Sequence, residues 1–352
     1  MKYSFKIGSV WGIPIEVHIT FILLIAAVFA LSYPELYYPI LNLFLFAFVV
    51  LHELSHSLVA RHYKMKVRKI VLYPIGGVSE IEEIPENPRV EWRMAIAGPL
   101  TSFAIGTVLL VLTAMTTGLT TLPLLTLTGN NMLFDLASLN LLLGAFNMIP
   151  AFPMDGGRVF RALLAEKLKF SDATKYAAFI GKLLGVVMAV VGVLYNPWLI
   201  IIGVFVYIGA TEETEATIVS TTMARVRVKD VMYPEVAAVQ PENTLAEALE
   251  IMFKARYHDA LVEKDGSLMG VVTWSEIMKV RPEQRSTLRV EQLPVKQIFI
   301  FADESILEAY KIMGHEKIDL IPVVTRDAPT KIAGVVTNEG VAYAYEKAKT
   351  LR

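Results

Sequence analysis

Residues 39–60 read PILNLFLFAFVVLHELSHSLVA, an apolar run long enough to cross a bilayer as one helix, yet it carries His52, Glu53 and His56 in its second half. Two histidines at i and i+4 lie on one helical face and can share a single Zn²⁺ through imidazole nitrogens. Glu53 projects beside them as a candidate general base. Imidazoles and carboxylates are costly in an apolar helix, so residues of this kind there are functional by default. The competing reading is a pair of interfacial histidines near the basic end of the helix, where burial is shallow. A catalytic zinc needs three protein ligands and an open position, so a third donor must come from elsewhere in the chain.

Composition agrees with a membrane setting. The 352 residues are 54% hydrophobic and only 19% charged, with a mean hydropathy of +0.50, too apolar for an ordinary soluble domain. The absence of cysteine excludes disulfides, thiolate metal sites and cysteine nucleophiles. A net charge of −1 argues against nucleic-acid binding. Lysines and arginines leave long gaps, from Lys6 to Arg61, Arg93 to Arg158 and Lys182 to Arg225. Within them, spans are expected near 17–31, 39–60, 92–114, 132–150, 176–194 and 197–209, about six transmembrane helices. Connections at one face carry Arg61, Lys64, Lys66, Arg68, Lys69, Arg89 and Arg93, then Arg158, Arg161, Lys167, Lys169 and Lys175. Those at 32–38, 116–131 and 195–197 carry none. The positive-inside rule makes the basic face cytoplasmic, with both termini inside a multi-pass protein of the cell membrane. The first apolar stretch lacks a small-residue cleavage site after it and reads as a retained helix, not a signal peptide.

Two interruptions of the apolar pattern bear on the metal. Residues 67–83, VRKIVLYPIGGVSEIEE, combine β-branched residues with Pro74, Gly76 and Gly77, which suggests a short hairpin at or dipping into the interface. A plain cytoplasmic hairpin is the alternative. Residues 147–158, NMIPAFPMDGGR, end the fourth span, where Pro150 and Pro153 break the helix and Gly156 and Gly157 permit a tight turn. Asp155 can then point back to the depth of His52 and His56 as the third ligand, or serve as the N-cap of the next helix. Asn147 is a candidate donor to an oxyanion, or an interhelical polar contact. Glu16 and His18 form a second-choice ligand pair, and His62 reads as solvated interface. His258 and His315 are assigned no chemistry.

From about Val226 the composition turns to mixed charge and the sequence repeats: residues 244–252, TLAEALEIM, match 305–313, SILEAYKIM, and 270–273, GVVT, match 334–337. Each unit reads as extended segment, helix, two strands and helix. The chain is therefore expected to hold a membrane domain over 1–212, a linker over 213–225 and a cytoplasmic α/β tandem over 226–352.

HELSH, the span-breaking NMIPAFPMDGG and the opening GIPIEVHITF of 12–21 together resemble the site-2 protease family of intramembrane zinc metalloproteases. The resemblance implies one Zn²⁺ per chain held by His52, His56 and Asp155, with Glu53 as general base and Asn147 stabilising the tetrahedral intermediate. It also implies an Ala97-Gly98-Pro99 start to the third span and a β element that pairs with substrate, placed at Ile70, Val71, Leu72, Gly76 and Gly77. Met148 stands where the family often has proline. The tandem resembles a pair of cystathionine-beta-synthase (CBS) domains, which implies ATP or AMP near Thr273, Glu276 and Thr337 and a homodimer through these domains. Glu276 replaces the family's Asp, and Gly340 stands at the matching place of the second repeat. A purely structural dimerisation module is the alternative.

The function expected is a metalloendopeptidase that cleaves a transmembrane helix of a membrane-protein substrate near the cytoplasmic face, with an adenine nucleotide regulating it. The competing class is a nucleotide-regulated metal-ion transporter, in which the same four residues would line an ion path. No repeat symmetry relates the first three spans to the last three, as a transporter would more often show.

Overall fold

Ile13, Ile15 and Val17 are buried while Pro14, Glu16 and His18 are half-exposed, the period-two pattern of a strand packed on one face. This strand, β2 (Ile13–His18), pairs antiparallel with β1 (Ser4–Val10) through a turn at Trp11 and Gly12, both at positive φ. Helices α1 (Ile19–Ser32) and α2 (Tyr37–His62) then carry the chain to β3 (Val67–Tyr73), which lies parallel to β2, and to β4 (Gly76–Ile81) antiparallel to β3. The expected hairpin is thus half of a four-stranded sheet in the order β1-β2-β3-β4. The computed structural model describes residues 3–81, 87–117, 127–234 and 238–350, so Glu82 and Glu83 of the expected element lie outside the described residues.

Helices α3 (Pro88–Thr117), α4 (Met132–Asn147), α5 (Asp155–Ala165), α6 (Phe170–Tyr195) and α7 (Trp198–Met223) follow. Three helices, α2, α3 and α6, are long and apolar enough to cross a membrane. With 14 and 16 residues, α1 and α4 rise only about 21 and 24 Å, short of the roughly 30 Å hydrocarbon core. The apolar half of α7 ends before Glu212, Glu213 and Glu215, and the helix runs on through most of the expected linker. The expected count of six spans is therefore not reached by helix length and apolarity. Buried Asp135 ties α4 to α2, accepting from Tyr37 Oη and the backbone N–H of Thr128 at 2.7 Å each and from the Gly129 N–H at 2.9 Å.

The chain divides into two compact units, Met1–Glu215 and Ala216–Arg352. In the second, β5 (Ala238–Val239), α8 (Leu245–Ala255), β6 (Asp259–Lys264), β7 (Ser267–Thr273) and α9 (Trp274–Met278) are repeated as β8 (Ile300–Phe301), α10 (Ile306–Glu316), β9 (Leu320–Thr325), β10 (Ala328–Thr337) and α11 (Asn338–Thr350). The sheet order β5-β6-β7-β10-β9-β8 is symmetric about its centre, as duplication requires. Leu245, Ala248 and Met252 fill one half-core, and their repeat partners Ile306, Ala309 and Met313 fill the other. Thr244 and Ser305 cap α8 and α10 by accepting the N–H of Glu247 and Glu308.

Candidate metal centre

The i, i+4 spacing on α2 turns both imidazoles to one side, and the Nε2 atoms of His52 and His56 lie 3.2 Å apart. Asp155, 99 residues beyond His56, brings Oδ2 to 3.1 Å from each of them. These three form a cluster able to hold a metal ion. In a tetrahedral site with ligands at about 2.1 Å, neighbouring donors stand about 3.4 Å apart, close to the edges of this triangle. Both histidines are buried.

The other ring nitrogens fix the donor atoms. His56 Nδ1 lies 2.7 Å from the carbonyl of Met94, which can only accept, so Nδ1 carries the proton and Nε2 keeps its lone pair. His52 Nδ1 meets Ser102 Oγ at 2.9 Å. Met94, Gly98 and Ser102 stand at i, i+4 and i+8 on α3 and form one stripe facing the two histidines. At Gly98 an added Cβ would fall 2.2 Å from His56 Nε2 and 2.5 Å from His52 Nε2. Gly98 therefore leaves the space in which the donors converge, and the three donors, the assigned tautomer and this cradle together fit a zinc ion.

Asp155 opens α5 but does not cap it: the N-cap position is Met154, which makes no side-chain cap bond, and the carboxylate turns to the histidines. The two glycines after it act through close packing, not as turn formers. A Cβ on Gly156 would lie 2.4 Å from Ile149 O, and one on Gly157 would lie 2.5 Å from Ala151 C, so the chain after α4 folds directly onto the start of α5. That start is held in place by buried charge. Arg161 Nε donates to Glu91 Oε1 of α3 at 2.8 Å, its Nη1 lies 3.0 Å from Glu213 Oε1 of α7, and its guanidinium is flanked by the rings of Phe152 and Phe170.

Glu53 points to the sheet side, where its Oε2 accepts from Ser79 Oγ of β4 at 2.8 Å. Asn147, the last residue of α4, donates from Nδ2 to Leu143 O at 3.0 Å, one of its two amide protons. No hydrogen bond joins it to the three donors among the described residues. Glu16 and His18 stay away from the centre. Glu16 pairs with Lys69 at 2.7 Å, and the hydrogen bonds from Lys69 and then Ser4 hold its carboxyl below the usual range. His18 instead caps α1.

Of the residues expected to pair with substrate, Ile70, Val71 and Leu72 lie in β3. β3 is interior, with β2 on one side and β4 on the other, and all three are buried. The unpaired edge beside Glu53, among the described residues, belongs to β4 and includes Gly76 and Gly77. In the second unit Thr273 Oγ1 accepts from the Glu276 N–H, Glu276 pairs with Lys279 at 2.6 Å, and Thr337 Oγ1 accepts from the Gly340 N–H. Reading by composition missed Ser79, Met94 and Ser102; the i, i+4, i+8 stripe of Met94, Gly98 and Ser102 on α3 is the sequence signal that could have pointed to the last two.

Comparison with known proteins gives matches to both units. The model of peptidase family M50 matches residues 40–127 and 123–191, and that of the CBS domain matches 228–283 and 290–347. A zinc metalloprotease of Methanocaldococcus jannaschii is 39% identical over 318 residues, 90% of this chain and 89% of its own. The stage IV sporulation protein FB of Bacillus subtilis is 28% identical over 36% of this chain and 40% of its own. The solved site-2 protease from Methanocaldococcus jannaschii is 46% identical, covers 60% of this chain and 95% of its own, and superposes with a TM-score of 0.48.

Proposed function

The chain belongs to peptidase family M50, the site-2 protease type of membrane zinc metalloendopeptidase, followed by tandem CBS domains, and on that premise we propose that it hydrolyses a peptide bond within a transmembrane helix of another protein. The observation that carries this reading is the convergence of His52 Nε2, His56 Nε2 and Asp155 Oδ2 from two distant helices, with Glu53 on the same turn of α2. His52, His56 and Asp155 hold one zinc per chain. When bound, zinc supplies a Lewis acid that polarises a carbonyl and makes water acidic enough to be deprotonated near neutral pH.

Glu53 takes the proton from the attacking water at a carboxylate oxygen and returns it to the leaving amine. Met94 O and Ser102 keep the two imidazoles oriented. Asn147 has a second amide proton for the developing oxyanion. A helical substrate has its backbone groups satisfied internally, so cleavage requires unwinding, and a strand added along the edge of β4 replaces the lost hydrogen bonds. The substrate-pairing residues are then those of β4, Gly76 and Gly77 among them, and not those of β3.

The site lies near the cytoplasmic face of a multi-pass protein with both termini inside, a reading supported by the one-sided distribution of basic connections. Residues 1–212 make up the protease domain and 226–352 the CBS pair. That pair binds ATP or AMP near Thr273, Glu276 and Thr337, associates as a homodimer, and adjusts cleavage through the bound nucleotide. The transporter reading is not favoured, since the relative that covers nine-tenths of the chain is a zinc metalloprotease.

The test is a reconstituted cleavage assay on a transmembrane-helix reporter. Glu53→Gln should abolish cleavage with zinc retained, and cleavage at the wild-type rate would overturn the assignment. Equal rates with and without saturating ATP or AMP would remove the regulatory part alone.

A further inference from the structure

The strand edge offered to substrate and the side chain that handles the proton are physically joined. Gly77 and Ser79, alternate residues on one face of β4, both bear on Glu53. A Cβ on Gly77 would fall 2.4 Å from Glu53 Cγ, so the glycine accommodates the stem of the side chain. Ser79 Oγ lies 2.8 Å from Glu53 Oε2 and 3.2 Å from the Glu53 carbonyl, and it receives the Ser57 hydroxyl at 3.1 Å. Ser57 is one turn beyond Glu53 on α2 and fully buried. With Ser57 donating to it, the Ser79 hydroxyl has its own proton to give, and the carboxylate 2.8 Å away is the nearer and more strongly accepting of its two targets.

We propose that Ser79 is a positioning residue for the proteolytic reaction: by donating to Glu53 Oε2 from the substrate-binding strand, it fixes the rotamer of the base and leaves Oε1 to receive the proton of the attacking water. Substrate that pairs along the edge of β4 steadies the strand whose Gly77 and Ser79 hold the base, so binding and orientation of Glu53 are one event. Water is thereby activated when a strand is in place, and the inference rests on the reading of Glu53 as general base.

The experiment uses the zinc-loaded full-length enzyme in detergent. Its probe is a fluorophore–quencher peptide with a Leu/Ala-rich transmembrane helix interrupted by a central Gly-Pro. Ser79→Ala, Ser79→Thr and Glu53→Gln are compared with wild type for kcat, KM and zinc content. Losing one hydrogen bond to a charged group predicts a fall in kcat of about 10- to 100-fold for Ser79→Ala, with KM and zinc nearly unchanged. Ser79→Thr, which keeps the hydroxyl and suits a strand, should recover most of kcat.

An unchanged kcat in Ser79→Ala overturns the proposal while Glu53→Gln remains inactive. So does a raised KM alone, which would make β4 only a binding edge, or a loss of activity that parallels zinc loss and is not recovered by threonine. Wild-type activity in Glu53→Gln would instead remove the underlying assignment of the base.

Discussion

Replacing Gly98 with alanine tests the geometry of the metal centre without touching a ligand. The residue sits in the middle of α3, where alanine is the better helix former by about 1 kcal/mol, so backbone propensity favours the variant. The obstacle is space. The new Cβ would stand 2.2 Å from His56 Nε2, 2.5 Å from His52 Nε2 and 2.7 Å from His52 Cδ2, where ordinary contact begins at 3.4 Å. One or both imidazoles must retreat by about 1 Å, against a tolerance of about 0.2 Å in metal–ligand distance. Their other nitrogens are anchored at 2.7 Å to Met94 O and 2.9 Å to Ser102 Oγ, so a retreat also breaks the bonds that orient them. Loss of such orienting bonds alone costs 10- to 100-fold in metal affinity; with the donors displaced as well, a fall of at least about 100-fold is expected. The assay is zinc stoichiometry by mass spectrometry across a chelator series, beside circular dichroism of the detergent-solubilised protein. Gly106→Ala on the same helix is the control for packing strain alone, because its Cβ would meet Leu141 Cγ at 2.8 Å and Ala137 O at 3.1 Å, both on α4, and none of the metal-binding side chains. Helicity should be retained in both variants and zinc lost only from Gly98→Ala. Wild-type zinc affinity in Gly98→Ala would refute the argument that this cradle shapes the site.

Other expectations follow from the same contacts. Wild type is expected to carry one zinc per chain, and Asp155→Ala and His56→Ala should each lose it; zinc retained by Asp155→Ala would move the third ligand elsewhere. Arg161→Ala leaves Glu91, which is fully buried, without the charge that compensates it, a change that costs about 3–5 kcal/mol, so its thermal transition in detergent should drop well below that of an exposed Arg225→Ala; coincident transitions would deny the cluster a structural role. The folded-state pKa of Glu16 is lowered by Lys69 and Ser4. Its stabilisation is therefore present above the unfolded value of 4.5 and lost as pH falls from there through the lowered folded value. At this partly exposed pair the effect is below about 1 kcal/mol, and Lys69→Met should flatten that part of the stability–pH curve; an unchanged acid limb would show that the pair contributes nothing.

The helical part of the fold was readable because its cause is local. Apolar runs bounded by basic clusters mark α2, α3 and α6, and the i, i+4 spacing of His52 and His56 puts both on one face whatever surrounds them. The duplication in the second half was equally plain, since matching residues fill matching cores. The strand β2 was legible in principle from the alternation of Ile13, Ile15 and Val17, but it runs without a break into the apolar α1, which conceals a period of two beneath continuous hydrophobicity.

What only the tertiary structure decided is non-local. The parallel pairing of β2 with β3 buries Ile70, Val71 and Leu72 and leaves β4, among the described residues, as the edge strand beside Glu53, a choice set by partners more than 50 residues apart. Gly98 entered the sequence reading only as part of the Ala97-Gly98-Pro99 element, and Ser79 not at all, because a glycine in an apolar helix and a serine in a strand acquire their roles from what packs against them. Residue chemistry and spacing determine which side chains are able to bind metal; pairing of distant segments determines which of them meet, because the chain's periodicity is intrinsic to each element and its neighbours are not.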